Sequence, residues 1–290
     1  MKIKGRDKIQ YQLFLLPAVV LFTVFVMVPL VMCFVYSFTN YTVGKPLEFV
    51  GLKNYIAALK DDLVVDSIGF TLLFAVVTTV GITVLALILA IAFTKNCYTG
   101  KLQRAVLYFP SCISLMVAGY AWRNLMASGG EGLINRIIML FGGEAVGWLS
   151  SPFWAKMGIF IVALWIDLGW CATLFYAYIQ SIDESLYEVA LMEGANAFQK
   201  AWYVTIPLIW PSVMINLTLL LSQGLKVYEI PQALTNGGPM RTTYTMTHAI
   251  LVRGITEWEF GIASATGVII FLMTAVLCAI QLKLGEKKEG

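Results

Sequence analysis

Asp167 is the residue of this chain whose setting most strongly suggests chemistry, because it lies in the middle of the apolar stretch ALWIDLGWCATLF. A carboxylate at mid-depth in a bilayer is costly and by default marks a functional position. Trp165 and Trp170 flank it, and a carboxylate between indole faces suits a hydroxyl-bearing ligand. The stretch predicts part of a polar path. The alternatives are a helix-to-helix hydrogen bond for Asp167 and core packing or an interfacial belt for the tryptophans.

A second group of polar side chains lies in the apolar stretch near residues 206–230. Asn216 and Gln223 are seven residues apart and share one helix face. Amides in hydrocarbon need partners, so this pair either joins helices or extends the polar path. Gly224 is predicted to interrupt the helix and leave backbone groups open to a cavity. Further polar side chains in or just beyond the stretch are Thr218, Ser222, Lys226, Tyr228 and Glu229.

Motifs for catalysis and for metal or nucleotide binding are missing from the sequence. It contains no GxxxxGK[ST] loop, no HExxH, no GxSxG and no Cys/His cluster. We therefore expect no enzyme activity, no catalytic residue, no bound metal and no cofactor on this chain. The only histidine, His248, lies in YTMTHAI and is predicted to be solvated or at an interface. The five scattered cysteines are expected to be small core residues.

Composition places the chain in the membrane. Hydrophobic residues make up 59%, charged residues only 13%, and the mean hydropathy is +0.79. A soluble domain carries about 25% charged residues. The apolar runs are long and lack the two-residue alternation of a membrane barrel. The sequence predicts an all-α polytopic membrane protein, and its net charge of +3 is too small to indicate nucleic-acid binding.

Six apolar runs are long enough to span a bilayer, and they form one predicted domain over residues 1–290. Basic residues in the N-terminal tail, in KNCYTGKLQR and in the C-terminal tail place both termini in the cytoplasm. The outer face then receives residues 37–67, 127–156 and 231–261. Residues 127–156 predict either a short amphipathic interfacial helix between glycine turns or a simple connector. The predicted spans are about 12–36, 68–94, 106–126, 157–180, 206–230 and 262–283.

The cytoplasmic loop 181–205 is more structured than a plain connector. Ser185 with a glutamate three residues later fits a capping box and predicts a helix start. Gly194 is expected to end that helix in a left-handed conformation, and Asn196 to start the next one. Pro207 suits the first turn of the following span, and Pro211 is expected to kink it. The pattern indicates a docking surface or an ordinary interfacial hairpin.

The same loop resembles a known motif. EVALMEGA, from Glu188 to Ala195, is followed by eleven residues and then a proline. This spacing is similar to the EAA loop of binding-protein-dependent ABC transporter permeases, although Val189 and Ala201 depart from the usual residues. The resemblance implies that Tyr187–Trp202 docks on an ATPase subunit. The residues that it assigns to ATPase coupling are Tyr187, Glu188, Ala190, Gly194, Ala195, Phe198 and Pro207.

Two outer segments narrow the resemblance to the maltose-type sugar permeases. They are QALTNGGPMRTTYTM (Gln232–Met246) and FVGLKNYIAAL (Phe49–Leu59). The resemblance implies the type I ABC importer permease fold in a bacterial cell membrane, although the extra spans and large external domain of the best-known member are missing. It also implies a substrate path through Trp165, Asp167, Trp170, Asn216, Gln223 and Tyr228, and contact with an external binding protein through Asn236, Gly237, Gly238 and Pro239.

The partners that the resemblance implies are a homologous second permease, two ATPase subunits that bind ATP and Mg, an extracellular sugar-binding protein and membrane lipid. The expected cargo is a sugar of oligosaccharide size. The same machinery with glycerol phosphate as cargo is one alternative. An ion-coupled secondary carrier that works alone is another, although Asp167 is the only acid deep in a predicted span.

Overall fold

The computed structural model describes residues 5–42, 44, 46–94 and 99–286. Several residues that served to orient the chain or to assess its cysteines lie outside the described residues. They are Lys2, Lys4, Lys95, Cys97, Lys287 and Lys288.

Helices dominate these residues, and the only extended pairing among them is an isolated antiparallel bridge between Thr39 and Phe49. Short π-helical turns interrupt the helices at Thr23–Met27, Ala201–Thr205 and Val252–Thr256. In chain order the α-helices are α1 (Gly5–Phe22), α2 (Val28–Tyr36), α3 (Lys53–Lys60), α4 (Asp62–Phe93), α5 (Gly100–Tyr108), α6 (Leu115–Leu125), α7 (Leu133–Leu140), α8 (Pro152–Ile179), α9 (Glu184–Met192), α10 (Ala197–Lys200), α11 (Ile206–Leu208), α12 (Trp210–Gly224), α13 (Glu229–Thr235), α14 (Met246–Leu251) and α15 (Phe260–Glu286).

Four stretches of the described chain are long and apolar enough to cross a membrane as continuous helices. They are Leu13–Tyr36, Asp62–Phe93, Pro152–Ile179 and Phe260–Gly285. Two further candidates are bent pairs. Gly100–Cys112 meets Leu115–Leu125 at 100°, and Ala197–Leu208 meets Trp210–Gly224 at 71°. The six predicted spans therefore correspond to four helices and two bent pairs.

The predicted third span, 106–126, is wrong as a single helix. Phe109–Cys112 forms a 3₁₀ turn with Pro110 near its start, and Ile113 and Ser114 then take extended backbone angles before α6 begins. Proline favours a helix start and disrupts a helix interior because it lacks an N–H donor. Hydropathy records only that the run is apolar, so it does not reveal the break.

The chain divides into two compact units. One comprises Met1–Asp62 with Ala249–Phe271. Within it, the buried Asn54 donates hydrogen bonds to the carbonyl oxygens of Ser37 (2.9 Å) and Thr39 (2.7 Å). Arg253 pairs with Asp61 at 2.5 Å. These contacts fix α3 and the chain before α15 against the segment that follows α2.

The second unit comprises Leu63–His248 with Leu272–Gly290 and contains two hydrophobic clusters. In the first, the rings of Phe74 and Phe160 stack at 5.9 Å and join α4 to α8. Elsewhere in this unit, small residues allow two helices to approach each other more closely. A Cβ on Gly224 would lie 2.8 Å from the Cα of Ala75, so α12 ends against α4 at a position that requires glycine.

Candidate functional site

The loop 181–205, which is predicted to lie in the cytoplasm, forms a helix, a tight turn and a second helix. The first of these, α9, begins one residue earlier than predicted. Asp183 caps it by accepting a 3.0 Å hydrogen bond from the Ser185 N–H, so the predicted capping box at Ser185 is wrong. Asp183 is the N-cap in place of Ser185 because its carboxylate reaches the backbone N–H two residues further along the chain. The same hydrogen bond lowers the pKa of Asp183.

The turn after α9 follows the prediction. Gly194 has φ +77°, in the left-handed region, and its N–H donates to the Leu191 carbonyl at 3.0 Å. The N–H of Ala195 donates to the Ala190 carbonyl at 2.9 Å. These two bonds form a Schellman motif, which satisfies the last carbonyls of α9 and reverses the chain direction.

The second helix begins at the predicted cap. The Asn196 side chain accepts from the Gln199 N–H at 2.9 Å, and the Gln199 side chain accepts from the Asn196 N–H at 2.8 Å, which completes a capping box. Helical structure then continues through Leu208, and the 71° bend follows before Trp210. Pro207 and Pro211 lie in the first turns of α11 and α12, on either side of that bend.

The loop presents apolar side chains to solvent while its base is fixed. The Tyr187 and Thr205 hydroxyls lie 3.0 Å apart and join α9 to the π-helical turn after α10. Met192 is 88% exposed and Phe198 is 74% exposed, with its ring stacked on Trp202 at 6.2 Å. Such side chains at a rigid helical turn have the character of a protein contact surface.

A cavity of about 460 Å³ lies in the second unit, within the predicted spans. Its wall includes the break between α5 and α6, the middle of α8, the end of α12 and the turn before α13. We call it the central cavity. Its polar and charged lining residues are Thr78, Ser111, Asp167, Ser222, Gln223, Lys226 and Glu229, and its apolar lining includes Phe74, Ile82, Ile113, Ile166, Leu220 and Ile230.

Two of the six predicted path residues, Asp167 and Gln223, line this cavity. The other four lie elsewhere. Asn216 is fully buried and accepts a 3.6 Å hydrogen bond from the Cys171 thiol, so it joins α12 to α8. Trp165 packs edge-on against Trp122 at 5.5 Å, the Tyr228 ring lies 4.7 Å from His248, and Trp170 packs beside a core cluster.

Asp167 is half-buried, and none of the hydrogen bonds or ion pairs in the described part of the chain involves its carboxylate. A carboxylate in such a wall requires hydrogen-bond donors. The cavity geometry therefore leaves Asp167 available to a ligand. Sequence reasoning missed Ser111 and Thr78 because the break after Pro110 and the approach of α4 are tertiary features.

The predicted binding-protein contact residues form the turn after α13. Asn236 and Gly237 both have positive φ, 51° and 77°, and Gly238–Pro239 is a cis peptide bond. A Cβ on Gly237 would overlap the Tyr244 ring, so glycine is required there. Met240 next to them is 82% exposed.

His248 is predicted to be solvated or at an interface, and the solvated alternative is wrong because the side chain is buried. It is 4% exposed, its Nδ1 lies 2.8 Å from the Thr245 hydroxyl and its Nε2 lies 3.1 Å from the Gln232 amide oxygen. The Tyr244 ring stacks on the imidazole at 5.3 Å. Burial lowers the pKa of His248 to about 4. The histidine thus organises the segment behind the Asn236–Pro239 turn.

Residues 82–288 match the family described as binding-protein-dependent transport system inner membrane component. The chain belongs to this family. Membership excludes a secondary carrier that works alone, and it confirms that the chain is a membrane permease subunit.

The relatives of this permease include transport proteins for several sugars. It is 31% identical over 285 residues to the probable starch degradation products transport system permease protein AmyD of Thermoanaerobacterium thermosulfurigenes, covering 98% of this chain and 96% of AmyD. It is 29% identical over 288 residues to the trehalose/maltose transport system permease protein MalF of Thermococcus litoralis, covering 98% and 96% of the two chains.

Solved structures share the fold. A chain of a bacterial ABC transporter involved in the import of the acidic polysaccharide alginate superposes with a TM-score of 0.87 at 21% identity, covering 97% of this permease and 96% of that chain. A chain of the bacterial alginate ABC transporter in complex with alginate pentasaccharide-bound periplasmic protein superposes with a TM-score of 0.85 at 22% identity. The match covers 95% of this permease and 93% of that chain. The predicted all-α importer permease fold is confirmed.

Proposed function

We propose that this permease imports a neutral or weakly charged sugar, of oligosaccharide size, through the central cavity. The observation that carries the proposal is that Asp167, which forms no hydrogen bond or ion pair in the described part of the chain, lines the same cavity as Gln223. Sugar hydroxyls are donors that satisfy both side chains. The relatives named for starch degradation products and for trehalose and maltose support this cargo class.

The energy comes from partner subunits. Two ATPase subunits bind ATP and Mg, and this chain contributes no cofactor site of its own. Tyr187–Trp202 docks on one of them, with Tyr187, Glu188, Ala190, Gly194, Ala195, Phe198 and Pro207 as its coupling residues. The exposure of Met192 and Phe198 on a turn fixed by the Tyr187–Thr205 hydrogen bond supports this assignment.

Two further partners complete the importer. A homologous permease supplies the other half of the path, and an external sugar-binding protein delivers cargo to Asn236, Gly237, Gly238 and Pro239. In this arrangement both termini lie in the cytoplasm of the cell and the α9–α10 loop lies on the same side. The His248–Gln232 contact next to the Asn236–Pro239 turn and the exposed side chain of Met240 support an external contact at this turn.

Coupling follows from how the loop is built. Closure of the ATPases moves α9 and α10 together because the Schellman turn and the Tyr187–Thr205 contact connect them. The π-helical turn after α10 leads through Pro207 to α12, whose outer end forms part of the cavity wall. Movement of the loop therefore reaches Gln223 through one bent helical path.

Uptake in proteoliposomes tests the proposal. The chain is reconstituted with its partner subunits and binding protein. ATP is placed inside the vesicles in one preparation and outside in another, and entry of radiolabelled maltotriose is measured. We expect ATP-dependent uptake that Asp167→Ala reduces by about 10- to 100-fold, because hydrogen bonds to a charged group contribute about 1.5–3 kcal/mol.

Glu144→Gln is the matched control. Glu144 is an exposed acid outside the cavity wall, so its loss is expected to leave uptake unchanged. Uptake that needs no ATP, or failure of every sugar tested to enter, would contradict the proposal.

A further inference from the structure

We propose that the central cavity selects cargo by charge, so that it accepts neutral and amine-bearing sugars and rejects sugars that carry carboxylates. This inference rests on the proposed sugar-import function and specifies its substrate class. The cavity wall contains two acids, Asp167 and Glu229, and one base, Lys226. Within this lining the formal charge is therefore negative.

The basic residue of the wall lies near one of its two acids in the sequence. Lys226 lies in the turn after α12, and Glu229 is the first residue of α13. The Lys226 backbone carbonyl accepts from the Thr247 hydroxyl at 3.3 Å, which fixes this turn. Together Lys226 and Glu229 contribute no net formal charge to the lining, so its negative charge corresponds to Asp167.

None of the ion pairs in the described part of the chain involves Asp167. Lys156, the basic residue of α8, lies eleven residues from Asp167, which is about 16 Å along the helix. Its ammonium group lies 5.8 Å from the centre of the Phe70 ring. Apart from Asp167, Lys226 and Glu229, the polar residues of the wall are Thr78 on α4, Ser111 at the α5–α6 break, and Ser222 and Gln223 on α12. All four are uncharged.

An uncompensated carboxylate in a partly desolvated wall discriminates strongly between ligands. Two like charges about 6 Å apart, at an effective dielectric constant of about 20, repel enough to change a binding constant on the order of a hundredfold. An ammonium group at the same position gains a comparable attraction. A hydroxyl donor gains a hydrogen bond to a charged acceptor, so a neutral sugar binds between these limits.

Three matched trisaccharides test the inference. They are maltotriose, its uronic acid derivative oxidised at C6, and its terminal amine derivative from reductive amination. Each is titrated into the complete transporter in nanodiscs, without binding protein, and binding is followed by saturation-transfer NMR. We expect the uronic acid to bind at least tenfold more weakly than maltotriose, and the amine derivative at least as tightly.

Asp167→Asn separates charge from shape, because the amide keeps the size of the side chain. We expect this variant to reduce the discrimination against the uronic acid by about tenfold and to remove any preference for the amine. Glu144→Gln, an exposed acid outside the wall, is expected to leave all three affinities unchanged.

The outcomes distinguish this inference from the proposed function. Equal binding of maltotriose and its uronic acid to the wild-type complex overturns charge selection but leaves sugar import intact. Unchanged discrimination in Asp167→Asn overturns the role of that residue. Absence of binding by all three sugars overturns the cavity as their site, and if ATP-driven uptake is also absent, the proposed function fails with it.

Discussion

The imidazole of His248 is enclosed by two tyrosine rings, a glutamine amide and a threonine hydroxyl. None of these groups, Tyr228, Tyr244, Gln232 and Thr245, is charged at neutral pH. A neutral ring satisfies both hydrogen bonds, with one nitrogen as donor and the other as acceptor. A protonated ring has two donors and lies in a setting that solvates charge poorly.

Burial of His248 predicts that the stability of residues 232–248 depends on pH. Burial lowers the pKa of His248 to about 4, below about 6.5 in an unfolded chain. Between these values the unfolded segment binds a proton that the folded one does not, so stability is complete above about pH 6.5 and falls as pH decreases toward 4. Hydrogen exchange of peptides from 232–248, corrected for intrinsic rates, is expected to show lower protection at pH 5 than at pH 7.

His248→Gln supplies the control, because glutamine keeps hydrogen-bonding capacity without a titrating ring. Its protection is expected to change little between the two pH values. Equal protection of the wild-type segment at pH 7 and pH 5 would show that another group governs its stability.

At the scale of elements, the proposed coupling depends on the turn between α9 and α10. Gly194 has φ +77°, and a Cβ built on it would meet no atom within 4 Å. The cost of a side chain there is therefore backbone strain without a clash, about 1–2 kcal/mol for an ordinary residue. Asparagine tolerates this conformation better than other residues with a Cβ.

We expect Gly194→Val to lower cargo-stimulated ATP hydrolysis at least threefold while membrane insertion stays normal. Gly194→Asn is expected to retain most of the stimulation, because it preserves the left-handed turn. The measurement is ATPase activity of the reconstituted complex with and without loaded binding protein. If both variants behave like the wild type, the geometry of this turn is not needed for coupling.

The elements themselves were predictable wherever local chemistry determines them. Gly194 and the Asn196–Gln199 capping box involve neighbouring residues only, and both predictions are confirmed. The 100° break before α6 and the close approach of Gly224 to Ala75 depend on tertiary packing, which hydropathy does not encode. For the same reason Asn216 and Gln223, although on one predicted face, have different surroundings: Asn216 contacts α8 and Gln223 lines the cavity.

At the scale of the whole molecule, the exposed apolar side chains serve two purposes. Those on the continuous spans, such as Phe14 at 85% exposure, suit contact with lipid. Those on the loop 181–205, such as Met192 at the end of α9, lie outside the four continuous spans. Exposed apolar side chains in such a position are typical of a surface that a protein partner covers.

Co-purification provides the last prediction, and the chain contains a matched control for it. Met192 and Met240 are both highly exposed, at 88% and 82%, but Met192 ends α9 and Met240 lies between α13 and α14. We expect Met192→Glu, combined with Phe198→Glu, to abolish recovery of the ATPase subunits in mild detergent, because it places charges in an apolar contact. Met240→Glu is expected to leave ATPase recovery unchanged.

Retention of the second permease in both variants would show that the spans are still folded, so loss of the ATPases from the loop variant alone assigns docking to α9 and α10. Recovery of the ATPases with the loop variant would mean that they bind another surface of this permease.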